Sequence, residues 1–340
     1  MAERNFGGIK NNFNKIFDMK NMRNSCCLIF GLMIAMMWVS CKKENIPTAL
    51  QIQKPTVYSN DYYIKLRAYK ASDHARCFIW LADYNVQGGL SASLGERFLG
   101  VPDSVDIISL WGGFPDSVKN PNDYKEMRFL QNVKGTKILN VTLVTPDRFA
   151  SYTQDDQGIM KFADTLVQQV YNQNLDGLDI DYEPNGSIFS NPDNFVKLIT
   201  RLSQFLGPKS GTGKILDIDY YGDTPPPALG PYVDFVVQQD YGVGSDNALQ
   251  SLYNNVSSYI SPQQYFATEN MGDYWQTGGV NYTLANGTTV NSLLGFGQWN
   301  PSQGRKGGFG AFFAQRDYYN PIPYGYLRAA IQACNPAKNN

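Results

Sequence analysis

The stretch DGLDIDYE, residues 176–183, alternates acidic residues with apolar or aromatic ones. Successive side chains of an extended strand point to opposite faces, so Asp179, Asp181 and Glu183 share one face. Acids on one face stand about 6 to 7 Å apart, and their crowding is costly unless they share protons or meet a substrate. The pattern therefore predicts a strand with one face packed in a core and the other lined by reactive acids.

Short apolar runs alternate with helical patterns on both sides of this strand, which predicts β/α units and a parallel sheet. The eight predicted strands span residues 77–82, 105–110, 136–144, 177–182, 215–220, 235–239, 265–268 and 308–313. Eight such strands match a (β/α)8 TIM barrel, whose usual length is about 250 residues, and we place this single catalytic domain at residues 59–337. A doubly wound sheet is the alternative, but Gly88 and Gly89 after the first strand lack the pattern of a phosphate-binding loop.

The predicted helices of the barrel lie at residues 124–133, 158–172, 193–206, 248–259, 290–296 and 326–333. Apolar residues recur at helical spacing along residues 158–172, while Asn191 and Gly207 are of the types that start and stop a helix. A further helix at residues 60–70 is expected to pack under the barrel.

Residues 1–40 have the pattern of a secretory signal peptide. Lys20 and Arg23 precede an apolar run at residues 26–39, and a small residue precedes Cys41 in the sequence WVSC. This resembles a lipoprotein signal, which is removed so that the cysteine becomes the lipidated first residue. The apolar run is shorter than the roughly 18 to 20 residues that span a bilayer, which favours a lipidated Cys41 over an uncleaved anchor.

Two further expectations concern this leader. Translation can begin at Met19 or Met22, next to the basic residues, in which case residues 1–18 are an upstream extension. Residues 42–58 are expected to form a tether between lipid and domain. The expected location is the bacterial cell envelope, with the protein lipid-anchored at the outer membrane surface or the periplasmic face.

The composition excludes several classes of function. The formal net charge is −1 and no basic cluster is visible, so a nucleic-acid partner is not expected. His74, expected at the surface or a helix end, is the single histidine, which rules out a multi-histidine zinc site and argues against a serine triad. The acids lack the fixed glycine of a calcium loop, and neither metal nor cofactor is expected. Cys77 and Cys334 are either bridged or isolated buried thiols.

Residues from three consecutive strands are predicted to converge at one rim. Active sites of such barrels lie at the C-terminal ends of the strands, and Glu183 ends its strand with Asp179 and Asp181 below it. The other polar residues predicted to face this rim are Asp217, Asp219, Tyr221, Gln239 and Tyr241.

The candidate substrate-binding residues are Asp219, Tyr221, Trp111, Glu269, Asn270 and Trp275. Tryptophan rings suit stacking on sugars, although tryptophans are also common in cores. Asp217 and Asp219 have the alternative of a purely structural role, and Gln239 and Tyr241 that of ordinary packing at the rim. The phenylalanines of the last strand, expected in the core, are Phe309, Phe312 and Phe313.

The octapeptide matches the Asp-x-x-Asp-x-Asp-x-Glu signature of glycoside hydrolase family 18, on the fourth strand of the barrel. The chain resembles this family over residues 60–337 and is similar to the family 18 lipoproteins of Bacteroidetes-type bacteria. The resemblance implies retaining hydrolysis that uses the 2-acetamido group of the substrate itself. It implies that Glu183 is the general acid, that Asp181 holds the acetamido NH, that Asp179 shares a proton, and that Tyr241 holds the acetamido oxygen.

Departures from the chitinases of that family narrow the implied substrate. The third strand, KILNVT at residues 137–142, lacks Ser-x-Gly-Gly, and the sixth has QDYG at residues 239–242 instead of Met-x-Tyr-Asp. The last strand has Phe and Ala where chitinases have a tryptophan. Gln-x-Tyr, with Gln239 and Tyr241, resembles the endo-β-N-acetylglucosaminidases, which cut between the two core N-acetylglucosamines of N-linked glycans. The resemblance implies a protein that acts on N-glycans, and a monomer is expected. A chitinase, or a glycan-binding barrel with little turnover, is the alternative. The retained Glu183 argues against the binding protein.

Overall fold

The computed structural model describes residues 51–84 and 90–336. The predicted signal peptide, Cys41 and the first part of the tether lie outside the described residues. Among the helices that are described, none is long and apolar enough to cross a membrane.

Eight parallel strands form the centre of the fold. They are β1 (Arg76–Leu81), β2 (Ile107–Leu110), β3 (Lys137–Leu143), β4 (Gly177–Tyr182), β5 (Ile215–Tyr220), β6 (Phe235–Gln239), β7 (Tyr265–Asn270) and β10 (Gly308–Phe312). Each pairs with the next along the chain, and β10 pairs with β1, so the sheet closes into a barrel. The predicted (β/α)8 barrel and its eight strands are confirmed, and the closed sheet excludes the doubly wound alternative.

A two-stranded antiparallel hairpin lies between β7 and the last barrel strand. Its strands are β8 (Asn281–Thr283) and β9 (Thr289–Asn291). The sequence predicts no strand here, because three residues are too short for alternation to be detected.

Helices connect the strands on the outside of the barrel. They are α1 (Asn60–Ala71), α2 (Pro121–Phe129), α3 (Pro146–Phe149), α4 (Asp156–Asn172), α5 (Pro192–Leu202), α6 (Asp246–Asn254), α7 (Met271–Tyr274), α8 (Ser292–Gln298) and α9 (Gly325–Cys334). Asn191 caps α5 as predicted, since its side chain accepts a hydrogen bond of 3.0 Å from the Asp193 amide.

Helix α1 packs under the barrel, as predicted from residues 60–70. Lys70 Nζ donates to the Val105 carbonyl and to Thr136 Oγ1, each at 2.6 Å, and these residues stand just before β2 and β3. His74 follows α1 at its C-terminal end, where its Nε2 lies 3.1 Å from Asp106 Oδ1. Helix α1 therefore covers the N-terminal ends of β2 and β3, and the site is expected at the opposite, C-terminal ends of the strands.

Two hydrophobic clusters hold the barrel. The larger joins the outer faces of the strands to the helices, and it contains Cys77, a free thiol like Cys334. The smaller fills the barrel interior with Phe78, Trp80, Ile107, Leu139, Ile215, Phe235, Val237 and Phe266. The Phe235 and Phe266 rings stack with their centroids 4.5 Å apart. These rings form an apolar floor beneath the polar residues of β4 and β5.

Candidate active site

Four aspartates form a block inside the barrel. Strands β4 and β5 are in register, so that Asp179 pairs with Asp217 and Asp181 pairs with Asp219. Because neighbouring strands lie about 4.8 Å apart, the four carboxyl groups are crowded in both directions. All four side chains are buried, with 2% exposure or less. We call these four residues the aspartate block.

Shared protons are what allow the aspartate block to exist. Its carboxyl oxygens include five buried ones that have no ordinary donor, on Asp179, Asp181, Asp217 and Asp219. Two ionised carboxylates cannot hydrogen-bond to each other, so each close pair requires a proton between its oxygens. The pairs placed to share a proton are Asp179 with Asp217, Asp179 with Asp219, and Asp181 with Asp219. Asp219 carries at most one proton, so it can donate to Asp179 or to Asp181 at a given moment.

The carboxyl groups of the block differ in their affinity for these protons. Burial raises the pKa of Asp217 and of Asp219 well above the normal range, and repulsion from neighbouring acids raises both further. Burial also raises the pKa of Asp181 to about 7, partly offset by its bond to Asp219. Asp217 and Asp219 therefore hold protons more strongly than an ordinary aspartate, while Asp181 changes its charge near neutral pH.

Asp179 is the acceptor at the centre of the block. Burial raises its pKa, but four donors oppose this effect. Trp80 Nε1 and Ser109 Oγ donate to Asp179 Oδ2 at 2.9 and 2.6 Å. Asp217 is the third donor, and Asp219 is the fourth when its proton is not directed to Asp181. Asp181 has Asp219 as its hydrogen-bonding acid and also lies within the charge field of Asp179, so proton sharing by Asp179 stays a prediction.

Glu183 stands above the block at the mouth of the barrel. It follows the last residue of β4 and is half-buried, and its charge acts on Asp181. Tyr241 is also half-buried, and its hydroxyl interacts electrostatically with Asp219, Asp181 and Glu183. Burial is the largest cause that raises the pKa of Tyr241 well above the normal range, so the phenol stays protonated and can donate. The predicted convergence of these side chains is what the structure shows.

Gln239 connects β6 to the aspartate block. Its Nε2 donates to Asp219 Oδ1 at 2.9 Å, which fixes the amide at the rim. Asp219 was predicted to bind substrate, but its side chain has no exposed area, so it lies beneath the mouth instead of lining it. Asp219 thus orients Gln239 on one side and Asp181 on the other.

Glu269 is a correction to the predicted set of substrate contacts. It lies within β7 and faces outward, fully buried, because the strand continues to Asn270 and alternation turns Glu269 away from the interior. Its Oε1 accepts from the Gly242 and Asn270 amides at 2.9 and 2.7 Å, and Ser292 Oγ donates to its other oxygen. Glu269 therefore anchors the loop that carries Tyr241.

The remaining predicted contacts occupy different positions. Asn270 ends β7 at the rim, but its side chain accepts from the Asp273 amide at 3.1 Å and so caps α7. Trp275 packs against the outer core. Tyr221 is 59% exposed above β5, with its ring centroid 6.2 Å from that of Tyr241. Trp111 lies half-buried at the end of β2 and borders the interior cluster.

Phe312 belongs to the mouth, although the sequence placed it in the core. Its ring centroid is 6.0 Å from that of Tyr241 and 5.0 Å from that of Trp111, which it meets edge-on. Phe309 is fully buried in the outer cluster, as expected. The signal that could have separated them is alternation along β10, since Phe312 shares the inward face with Gly310 and Gly308.

The site can donate a proton next to Asp181, an acid whose charge changes near neutral pH. Glu183 can give a proton to a leaving group, while Asp181 and Tyr241 can hold an adjacent polar group. Within residues 51–84 and 90–336 no group of three or more His, Cys, Asp or Glu side chains is placed to hold a metal ion. The fold and this site together are those of a glycoside hydrolase.

The family of the chain follows from comparison with known proteins. Residues 80–311 match the family described as the endo-beta-N-acetylglucosaminidase EndoS TIM-barrel domain, and the chain belongs to this family.

Two curated relatives carry related names. Endo-beta-N-acetylglucosaminidase F2 of Elizabethkingia meningoseptica is 30% identical over 275 residues, which cover 74% of this chain and 76% of that protein. Endo-beta-N-acetylglucosaminidase EndoS of Streptococcus pyogenes serotype M1 is 25% identical over 223 residues, which cover 53% of this chain and 22% of that much longer protein.

Solved structures show the same fold. The apo endo-beta-N-acetylglucosaminidase of Cordyceps militaris is 25% identical, with a TM-score of 0.65 over 85% of this chain and 100% of that one. A GH18 chitinase from Pseudoalteromonas aurantia is 17% identical, with a TM-score of 0.51 over 76% of this chain and 99% of that one. The second likeness concerns the fold alone.

The proton on Asp219 generates a prediction. Asp219→Asn keeps an acceptor for Gln239 and replaces the shared proton by an amide N–H, so hydrolysis of a glycan substrate should fall less than about 10-fold. Asp219→Leu has a similar size but neither group, and should lower kcat/KM by about 100-fold or more, because Asp181 and Gln239 lose their partner. Steady-state kinetics of both variants, with circular dichroism to confirm folding, would check this. Equal large losses in the two variants would mean that Asp219 acts as an anion.

Proposed function

We propose that the protein cleaves the β-1,4 bond between the two core N-acetylglucosamines of N-linked glycans, by retaining, substrate-assisted hydrolysis. The observation that carries the proposal is the convergence of Glu183 and Tyr241 on Asp181 of the aspartate block. One of these groups can donate a proton, one is an acid whose charge changes near neutrality, and one is a neutral phenol. An acetamido sugar requires this combination when its own carbonyl oxygen is the nucleophile.

The first step breaks the glycosidic bond. Glu183 donates its proton to the glycosidic oxygen while the bond from that oxygen to the anomeric carbon breaks. The acetamido oxygen attacks the anomeric carbon from the opposite face, so that an oxazolinium ion forms within the sugar. Asp181 accepts a hydrogen bond from the acetamido NH, and its negative charge balances the cation. Tyr241 donates a hydrogen bond that aligns the acetamido oxygen.

The second step returns the enzyme to its starting state. Water attacks the anomeric carbon while Glu183, now ionised, accepts a proton from it. The bond from the anomeric carbon to the acetamido oxygen breaks, and its electron pair restores the amide. Two inversions at one carbon give net retention of configuration.

The choice of N-glycans over chitin rests on Gln239 and on the names of relatives. Gln239 stands where the chitinases of the resembled family have methionine, and its amide is fixed at the rim by Asp219. Two curated relatives are named endo-beta-N-acetylglucosaminidases. A variant of the Cordyceps protein, with one aspartate and one glutamate replaced, has been solved in complex with fucosyl-N-acetylglucosamine-Asn. These likenesses support an N-glycan substrate.

Removal of the proton donor should stop the reaction. Glu183→Gln keeps the size of the side chain but has no acidic proton, so kcat on a defined glycoprotein should fall by about 100- to 10,000-fold. Mass spectrometry of the released glycans measures this. Asp164→Asn on α4 is the matched control, because its carboxyl group is partly exposed and only pairs with Arg201; it should release glycans at the wild-type rate.

The products of the same experiment test the bond and the mechanism. The released glycans are expected to keep one N-acetylglucosamine at the reducing end. NMR spectra recorded immediately after cleavage should show this sugar as the β-anomer. Faster cleavage of chitin oligomers than of glycopeptides would contradict the N-glycan assignment. An initial α-anomer would contradict retention. Equal, negligible release by wild type and Glu183→Gln, with both binding glycan, would indicate a binding protein.

Asp181 should govern the acidic side of the pH profile. Because its pKa is raised to about 7 and the proposed mechanism requires its ionised form, kcat/KM should fall up to tenfold per unit as the pH drops below this value. Asp181→Asn cannot ionise, and should show a low rate without this limb. Measurement of kcat/KM from pH 4 to 9 in both proteins decides the matter: an unchanged limb in the variant would assign the titration to another group.

We also propose that Cys41 carries a lipid and that the protein is held at the cell envelope. The support is the sequence of residues 20–41, with its basic start, apolar run and cysteine. Fatty-acid labelling in a bacterial host should mark the wild type and Cys334→Ala, but not Cys41→Ala, which should move to the soluble fraction. Label retained by Cys41→Ala would refute lipidation at this residue.

A further inference from the structure

The outer face of β3 carries polar residues where a barrel strand normally packs against helices. Ile138 and Val144 face outward and are fully buried, but Asn140 and Thr142 between them are half-buried. Outward positions on barrel strands are usually apolar because helices cover them. The surrounding helices therefore leave the C-terminal half of this strand partly uncovered.

A groove occupies this opening. It has a volume of about 750 Å³ and runs from residues 111–114, the loop after β2, along the outer face of β3 to α4. Thr165 and Gln169 of α4, and Gln173 directly after the helix, line the opposite wall, since their spacing of four residues places them on one side. We call this cavity the β3 groove.

The lining of the β3 groove is nearly uncharged. Arg148 is the single charged side chain among its lining residues, and amides, hydroxyls and the aromatic rings of Trp111, Phe114 and Tyr152 make up much of the remainder. Asn140 makes only one side-chain hydrogen bond within the described chain, at 3.5 Å to Thr142. An amide can offer two donors and an acceptor, so most of this capacity is available to a ligand.

These groups match one class of ligand. A sugar presents hydroxyls, which both donate and accept, at its edge and apolar C–H groups on its face, where aromatic rings can pack. A nucleotide or an acidic ligand would need more than one cation. The volume falls within the range of about 300 to 1,000 Å³ that is typical of sites for small molecules, and is enough for a short oligosaccharide.

The β3 groove lies on the other side of the barrel wall from the reacting acids. Leu139 of β3 points into the interior, as Asp179 does from β4, whereas Asn140 and Thr142 point outward. Trp111 is near both, since it lines the groove and packs against Phe312 at the mouth. A chain seated at Glu183 would have to pass over the end of β3 to reach the groove, so the two are separate sites.

We propose that the β3 groove binds a neutral oligosaccharide as an accessory site, separate from the site of cleavage. The bound segment is not cut there, because the carboxyl groups of the reaction face the barrel interior. The proposal rests on the protein acting on glycans and is independent of which glycosidic bond it cuts. Such a site would hold the enzyme on a glycan-rich surface between rounds of cleavage.

The test compares binding by variants that cannot cleave. In full-length Glu183→Gln protein, Asn140→Ala with Gln169→Ala removes one amide from each wall of the groove, and alanine favours the helix at residue 169. Calorimetric titration with a free biantennary N-glycan should show one binding event weakened about 10-fold or more, as expected when two neutral hydrogen-bonding groups are lost. The matched control is Gln157→Ala, an exposed glutamine on the first turn of the same helix and outside the groove, which should leave the titration unchanged.

A second variant and a second readout keep the outcome clear. Thr165→Trp should obstruct part of the groove and weaken the same event, even if the double variant folds poorly. With Glu183 intact, both groove variants should hydrolyse a short core glycopeptide at the wild-type rate. Identical titrations for the parent and both groove variants would overturn the proposal. It would also be overturned if the groove variants lost binding only to the peptide without its glycan. Weakened binding without any N-glycan hydrolysis by the wild type would leave this site standing and refute the proposed cleavage instead.

Discussion

Proton sharing among Asp179, Asp181, Asp217 and Asp219 is the constraint on which the rest of the site depends. Four carboxyl groups beneath a barrel mouth cannot all ionise, since each isolated buried charge would cost several kcal/mol. Arg76 attracts Asp217, but this attraction does not outweigh the effect of burial. Shared protons therefore hold the acids together, and Trp80 and Ser109 supply further donors.

The constraint extends from the block across the barrel. Asp219 accepts a hydrogen bond from Gln239, so the proton arrangement of β4 and β5 also sets the orientation of a side chain on β6. Glu269 on β7 holds the loop after β6 through the Gly242 amide, next to Tyr241. Consecutive strands thus each contribute one fixed element of the mouth, and a barrel in which strand order equals spatial order brings them together without long connections.

The sequence was sufficient to predict the barrel, the fourth strand and the position of Glu183. Alternation within a strand, and the succession of strands along the chain, can both be recognised from short stretches of sequence. It could not identify Asp219 as the proton partner of Asp181, since that depends on the cross-strand register of β4 and β5. Glu269 was misplaced for a related reason: the predicted strand ended at residue 268, whereas β7 continues to Asn270, and one or two residues decide which way a side chain faces. Phe312 shows that an inward-facing aromatic residue can lie at the boundary between the interior cluster and the mouth of the barrel.

The buried acids also connect catalysis to the thermodynamics of the whole chain. An aspartate with a raised pKa binds more protons in the folded protein than in the unfolded one, so its favourable contribution to folding is complete in acid and is lost as the pH rises. For Asp181 this loss falls between its ordinary pKa of 3.8 and about 7. Asp181 therefore takes up a proton when the chain folds at acidic pH, and its contribution to folding has been lost once the pH exceeds about 7. A neutral replacement of Asp181 would remove this cost of ionisation while disarming the site, which is the trade-off between function and stability that selection maintains at such centres.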